Sequence, residues 1–306
     1  MVGEHRHAGL RDPPPAAEEG AMRRFRTGWD LTKKSWRLLR SQPGLTAYPI
    51  AAAVSSVLAF VVFAGPGFLL VDTESSAAGY ALIAVGAYLS AFSATFFGVA
   101  LAAAADRAFR GERVTLGTGV AVASGHLGAI AGWALVAAIV TSLLTFLQSQ
   151  RGLAGPIIAM LGGAAWGLIT FLAIPVIAIE GTGPFATIRR SAGLFKERWR
   201  GQITGNVAIG GAVVLFGVLP AIGLITLGVV LWIDDGAGAS IAFGGALVFF
   251  GALLLVVSLV LAQAMRQVFG VALYRWTADG DAVGGFTPAE LDSAVRMHSR
   301  SDAATA

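Results

Sequence analysis

Long apolar runs alternate with short polar gaps along most of this chain. A helix that crosses a bilayer needs about 20 mostly apolar residues, because its backbone groups must be hydrogen-bonded within the segment. Six runs meet this requirement, at about 46–70, 79–104, 127–147, 156–179, 203–233 and 240–263. The pattern predicts an all-α integral membrane protein with six transmembrane helices. Pro220, near the middle of the long fifth run, predicts a kink there.

The polar gaps alternate in charge. Of the 22 Lys and Arg residues, all except Arg151 lie in one set of gaps, and the other set also holds Asp72, Glu74, Asp234 and Asp235. Basic residues beside short loops stay on the cytoplasmic side of a membrane. Both termini are therefore predicted to be cytoplasmic, in a multi-pass protein of a bacterial cell membrane.

Two basic segments, at about 22–41 and 185–200, have the pattern of amphipathic helices. In the first, Phe25, Trp29, Trp36 and Leu39 share one helical face and Lys and Arg lie beside it. Such helices lie in the headgroup plane of a membrane, with aromatic residues towards the acyl chains. A weaker segment precedes the third span, so the chain has the pattern of three repeats of an amphipathic helix followed by a hairpin.

The even-numbered spans share an ending. Gly111, Gly181 and Gly280 each follow or precede an acidic residue, and glycine is the usual residue at a helix C-terminal turn. We expect residues 1–20 to be a disordered tail, 21–276 to form the membrane domain, and 277–306 to form a cytoplasmic tail. Thr287 to Glu290 has the sequence of a capping box, which predicts a short helix at about 288–298.

Composition excludes several functional classes. The chain is 56% apolar and 13% charged, which is far from the composition of soluble proteins. Its formal charge is +4, and its basic residues lie at the ends of the predicted spans, which favours binding to anionic lipid over nucleic acid. It has no cysteine and four scattered histidines, so no metal site or cofactor is predicted. No P-loop, nucleophile elbow or zinc-protease motif occurs. The sequence therefore predicts a protein that is not an enzyme.

A resemblance rests on Lys34-Ser35-Trp36-Arg37 and, more specifically, on residues 171–206, which include Pro175, Glu180-Gly181 and Arg189-Arg190-Ser191. Over 22–276 the chain resembles an uncharacterised bacterial and archaeal family of six-span membrane proteins. It is more distantly similar to the membrane domain of some glycerophosphodiester phosphodiesterases. The resemblance implies an architecture and supplies no catalytic residues.

Polar residues gather at the predicted cytoplasmic ends of the even spans. The candidate cluster consists of Asp106, Arg107, Glu180, Arg189, Arg190, Asn206, Gln263 and Arg266. Glu180 is expected to pair with Arg107, Arg189 or Arg266. One interpretation is an ionic network that fixes helices to each other; the other is a site for lipid headgroups or an anionic substrate, since guanidinium groups match phosphate oxygens.

Two functions are compatible with these patterns. The first is a non-enzymatic membrane protein that organises lipid, or holds a protein partner or a second copy of itself, at the cytoplasmic leaflet. The alternative is a transporter or permease-like subunit for a small amphipathic or lipid-like substrate. The absence of an ionisable residue at mid-membrane argues against ion-coupled transport. A cavity lined by hydroxyl residues would favour transport: Ser90, Ser93, Thr95, Thr141, Thr145 and Thr170.

Overall fold

All regular elements that the structure describes are helices. A computed structural model describes residues 42–150, 154–198, 214–233, 238–288 and 291. The predicted tail at 1–20, the basic segment at 22–41 and most of the predicted helix at 288–298 lie outside these residues. The α-helices are α1 (Pro43–Leu70), α2 (Ser76–Phe109), α3 (Leu116–Gly125), α4 (Leu127–Ser149), α5 (Ala154–Thr170), α6 (Ala173–Glu180), α7 (Pro184–Arg198), α8 (Leu219–Ile233) and α9 (Gly238–Ala278), and a π-helix covers Val214–Val218.

Four helices are long and apolar enough to cross a membrane, judged by length and composition among the described residues. They are Gly44–Leu70, Ser76–Phe109, Leu127–Ser149 and Ala242–Ala278. They cover the first, second, third and sixth predicted spans. The last continues past its predicted end at 263. With 41 residues, α9 is roughly 60 Å long, about twice the thickness of a hydrocarbon core, so it is longer than a single crossing requires.

The fourth predicted span, 156–179, is two helices instead of one. Helix α5 ends at Thr170 and α6 begins at Ala173. Pro175 explains the break, because its ring would clash with the carbonyl of Phe171 in a continuous helix. In the observed fold Pro175 occupies the first turn of α6, where a backbone N–H has no partner within the helix.

The fifth predicted span, 203–233, is described from residue 214 onwards. The π-helix Val214–Val218 leads directly into α8, and Pro220 is the second residue of α8. A proline at this position offers no N–H to the carbonyl four residues earlier. The wider π turn therefore lies where the sequence predicts a kink.

Close glycine contacts join the antiparallel helices in pairs. A Cβ on Gly67 of α1 would lie 2.8 Å from the carbonyl oxygen of Gly79 in α2, and a Cβ on Gly228 of α8 would lie 2.6 Å from that of Gly244 in α9. Between α4 and α5, Gly155 and Gly162 contact Leu147 and Leu144. The returning helix of each pair thus starts with two glycines seven residues apart: Gly79 and Gly86, Gly155 and Gly162, Gly244 and Gly251.

The returning helices also end alike. Gly111, Gly181 and Gly280 have φ values of +80°, +65° and +81°, so each ending needs a left-handed residue, as the sequence predicts. A short helix follows each of the first two endings: α3 follows Gly111, and α7 follows Gly181. After Gly280 the structure describes two residues of a third short helix. There Pro288 and Leu291 are helical, and the N–H of Leu291 donates to the carbonyl of Thr287 at 3.1 Å.

Each short helix packs on the hairpin that precedes it. The hydroxyl of Tyr48 in α1 donates to the carbonyl of Thr115 at 2.8 Å and accepts the N–H of Gly119 at 2.8 Å, which fixes the start of α3. A Cβ on Gly132 of α4 would similarly lie 3.1 Å from the ring of Pro184 at the start of α7. The structural unit is therefore a hairpin with a trailing helix, whereas the sequence pattern places the short helix before its hairpin.

Buried residues are concentrated at one end of the helices. The buried cluster consists mainly of residues in 99–105 of α2, 172–178 at the start of α6 and 264–274 of α9, together with Phe286 and Leu291. Towards the hairpin turns, large apolar side chains such as Val57, Phe68 and Phe249 are more than half exposed. The fold therefore combines a packed end with an apolar surface that suits a lipid environment.

Candidate functional site

The packed end contains an ion pair between α2 and α9. Asp106 is buried, and Arg275 donates to both of its oxygens: Nε to Oδ1 at 2.6 Å and Nη2 to Oδ2 at 2.8 Å. Arg110, one turn after Asp106, also binds Oδ2. Arg275 further donates from Nη1 to Asp279 at 2.8 Å. This two-pronged contact joins the ends of two long helices with a defined geometry.

Glu180 forms a second polar cluster between α6, α7 and α9. Its Oε1 accepts hydrogen bonds from the hydroxyl of Tyr274 at 2.6 Å and from Nε of Arg190 at 2.8 Å. Gly181 ends α6 in a left-handed conformation, and Arg190 of the following helix α7 contacts Glu180 at that end. The hydrogen bond to Glu180 raises the pKa of Arg190 above its usual value. Glu180 therefore binds Arg190 and Tyr274, instead of the expected Arg107, Arg189 or Arg266.

The predicted cluster divides into engaged and free residues. Asp106, Glu180 and Arg190 form the contacts above. Three arginines of the cluster, Arg107, Arg189 and Arg266, form no ion pair with a described residue. Gln263 is exposed and precedes Tyr274 by eleven residues, roughly 16 Å along α9, so it is remote from Glu180. Asn206 lies outside the described residues.

Two residues of α9 that the candidate set lacks hold the cluster together. Tyr274 and Arg275 are adjacent in sequence, and they bind Glu180 and Asp106 respectively. The sequence signal for Arg275 is its place among the basic residues after the last span. Tyr274 gives a weaker signal, because a tyrosine near a span end is also typical of an aromatic belt.

The chemistry of these clusters is that of a helix junction. The carboxylates of Asp106 and Glu180 are occupied by arginine or tyrosine donors, which leaves neither of them free to act as a base on a substrate. No group of three His, Cys, Asp or Glu residues that fits a metal ion occurs within the described ranges. The geometry therefore favours the ionic-network interpretation for Asp106 and Glu180.

Four of the hydroxyl residues considered for a transport cavity, Ser93, Thr95, Thr145 and Thr170, donate to a neighbouring hydroxyl or to a backbone carbonyl. Ser93 donates to Ser55 at 2.6 Å, and Thr95 and Thr170 donate to carbonyls one turn earlier in their own helices. Thr141 and Thr145 are exposed on α4. These contacts serve helix packing and support no shared cavity lined by the whole set.

Helix α7 places different residues on three sides. Thr187, Ser191 and Leu194 are buried against the bundle, at the spacing of one helical face. Arg190 lies beside that face and reaches Glu180. Phe185 and Arg189, one turn apart, are exposed on the far side. One side of α7 is thus fixed by packing, and another is available for contact.

Comparison with known proteins places the chain among uncharacterised ones. A model described as a family of unknown function, DUF6159, matches residues 77–285. No curated protein and no solved structure matches the chain. The expected distant similarity to the membrane domain of glycerophosphodiester phosphodiesterases stays a prediction. The family match covers α2 to the loop after α9 and thus includes both polar clusters.

Proposed function

The chain belongs to the family of unknown function DUF6159, and we propose that it is a non-enzymatic, multi-pass protein that organises anionic lipid at a membrane. The proposed location is the cytoplasmic leaflet of a bacterial cell membrane. One observation carries the proposal: Asp106 and Glu180 at the polar end are held by arginine and tyrosine donors, whereas Arg107, Arg113 and Arg189 form no ion pair with a described residue, beside helices with an apolar exposed surface. These arginines outnumber the two described acidic residues of that end that are also unpaired. An excess of free cationic groups at a membrane surface attracts anionic headgroups.

The proposed topology has six crossings in three hairpins. Helices α1 and α2, α4 and α5–α6, and the region 203–233 with α9 would form them, and both termini would be cytoplasmic. The three similar glycine contacts and the three similar helix endings support this threefold arrangement. The charge distribution supports the orientation, because Arg107, Arg110 and Arg113 lie at one end of α2 and Asp72 and Glu74 lie at the other.

The topology is tested with single cysteines, since the chain has none of its own. Asp72 and Arg113 are exposed at opposite ends of α2. A membrane-impermeant maleimide applied to intact cells, with the outer membrane permeabilised, should label Asp72→Cys. Arg113→Cys should react after the inner membrane is opened. The reverse pattern would overturn the orientation, and labelling of both in intact cells would overturn a crossing by α2.

The function is tested by the lipids that accompany the full-length protein. We expect phosphatidylglycerol or cardiolipin to co-purify in excess over their share of the membrane, as measured by lipid mass spectrometry. A matched set of membranes without the protein provides the reference composition. Co-purified lipid of the same composition as the bulk membrane would contradict the proposal.

Transport is the alternative, and the structure provides less support for it. The expected lining residues lie on separate surfaces, with Thr141 and Thr145 exposed. The rate at which a fluorescent lipid analogue flips between the leaflets of vesicles that contain the protein distinguishes the two functions. We expect the same flip rate as in protein-free vesicles, and a faster rate would favour the transporter.

A further inference from the structure

We propose that α7 carries a contact site for lipid phosphate, in which Arg189 binds the headgroup and Phe185 enters the acyl boundary. This inference rests on the proposed function and assigns part of the lipid contact to two residues. The ligand class is an anionic phospholipid in the leaflet next to the packed end. The geometry that supports it concerns the orientation of α7, its depth and the pairing of its arginines.

The orientation of α7 is fixed from its buried side. Thr187 and Ser191 are fully buried and Leu194 is nearly so. The Thr187 hydroxyl also donates to the carbonyl of Thr182 at 3.0 Å, which ties the helix to the loop before it. Phe185 and Arg189 are four residues apart, so they are neighbours on the helix surface. Because the buried side cannot rotate outwards, these two side chains face away from the bundle.

The exposure of Phe185 needs an apolar environment. Its side chain is 75% exposed, whereas its neighbour Pro184 packs on Gly132. A large aromatic residue at the start of a surface helix gains from burial, at about 25 cal/mol per Å² of apolar area removed from water. The acyl boundary beside an amphipathic helix provides such an environment.

The depth of α7 is indicated by the elements around its start. Pro184 lies against Gly132 of α4, and Glu180, the last residue of α6, binds Arg190 of α7. Ionisable side chains are costly inside the hydrocarbon core, so this ion pair belongs at the level of the headgroups. The start of α7 is therefore close to the boundary between headgroups and acyl chains.

The two adjacent arginines of α7 have different roles. Arg190 is bound to Glu180 at 2.8 Å, whereas Arg189 is exposed and forms no ion pair among the described residues. A free guanidinium group at headgroup depth matches phosphate oxygens with two parallel donors. Its charge complements an anionic leaflet, which makes lipid phosphate the best-matched occupant.

The position of Phe185 is tested with spin labels on single cysteines in vesicles of phosphatidylcholine and phosphatidylglycerol. Phe185→Cys should collide more with oxygen, which concentrates in the acyl region, than with a water-soluble nickel chelate. Ala186→Cys is the matched control, because residue 186 is also exposed but lies a third of a turn away. Equal or greater access of nickel to position 185 would overturn the insertion of this side chain.

The role of Arg189 is tested by titrating detergent-solubilised full-length protein with phosphatidylglycerol and counting bound lipids by native mass spectrometry. Arg189→Gln should lower the association constant for the first bound lipid about fivefold, with unchanged thermal stability. Arg190→Gln, the matched variant, should lower stability instead. Phosphatidylcholine should bind all three proteins equally.

The outcomes separate this inference from the proposed function. If the wild-type protein showed no preference for phosphatidylglycerol over phosphatidylcholine, the proposed lipid function would fail. If the preference were present but Arg189→Gln left it unchanged, the assignment to α7 would be overturned and the proposed function would stand. A loss of preference in Arg189→Lys as well would show that the guanidinium geometry matters in addition to charge.

Discussion

Tyr274 of α9 donates a 2.6 Å hydrogen bond to Glu180, 94 residues earlier in the chain. The next residue, Arg275, binds Asp106 of α2, 169 residues earlier. Two consecutive side chains of α9 therefore connect it to the ends of two other helices. The packed end of the molecule depends on this pair of contacts, and both are open to direct test.

Replacement of Tyr274 by phenylalanine should destabilise the fold. The variant removes the donor while the ring is retained, so Glu180 loses one of its two partners. Hydrogen bonds to charged groups contribute about 1.5–3 kcal/mol, and we expect a loss of that size in thermal unfolding in detergent. Tyr80 is exposed and provides a control, because Tyr80→Phe should leave the unfolding temperature unchanged. An unchanged midpoint for Tyr274→Phe would show that the hydrogen bond contributes nothing.

Replacement of Arg275 by glutamine should cost more. It leaves the buried Asp106 with Arg110 alone, and removing one partner of a buried ion pair typically costs about 3–5 kcal/mol. The double variant Asp106→Asn/Arg275→Gln should recover part of this loss, because the carboxylate charge is then absent. Unfolding in denaturant measures both effects. Arg113→Gln, at an exposed position, is expected to match the wild type.

A valine at Gly244 should separate α8 from α9. A Cβ there would lie 2.7 Å from the carbonyl oxygen of Gly228, so the helices would have to move apart. Overpacking of this kind costs about 1–3 kcal/mol. Gly245 has no atom of a described residue within 4 Å of the corresponding position and supplies the matched variant. Equal thermal stability of Gly244→Val and Gly245→Val would contradict the close packing of this pair.

Ser191→Ala should be neutral or stabilising. The hydroxyl of Ser191 is buried without a hydrogen-bond partner among the described residues, so its removal relieves a desolvated polar group. Thr187→Val provides the contrast, because the Thr187 hydroxyl bonds Thr182 and its loss should cost about 1 kcal/mol. Calorimetry of the two variants distinguishes them. A loss for Ser191→Ala as large as that for Thr187→Val would indicate an acceptor for Ser191.

Hydropathy was sufficient to predict the long helices, and local chemistry explains where it failed. Helices α1, α2 and α4 lie close to the predicted spans because apolar length alone defines them. Pro175 is visible in the sequence as a possible break, yet continuous apolarity across 171–172 favours one span. At the other end of the chain, the polar residues Gln263 and Arg266 predict that the last span ends at 263. The helix continues to Ala278, because polar residues end an apolar run without ending a helix.

The polar clusters required three-dimensional information. Polar residues at the ends of the even-numbered spans are visible in the sequence, and Glu180 was expected to pair with one of three arginines. The choice between Arg189 and Arg190 depends on the direction in which α7 leaves the turn at Gly181, which hydropathy does not specify. Tyr274 was missed because a partner 94 residues away leaves no periodic signal in the sequence.

The packing of each short helix on its preceding hairpin has a consequence for biosynthesis. Tyr48 finds Thr115 and Gly119 as soon as α3 is made, before any residue of α4 is needed. Pro184 likewise meets Gly132 of a hairpin that has already been synthesised. Chains emerge from the ribosome N-terminus first, and such local units close in that order. Asp106 and Glu180 gain their partners Arg275 and Tyr274 only when α9 has been made. The last long helix therefore completes the assembly of the first two units.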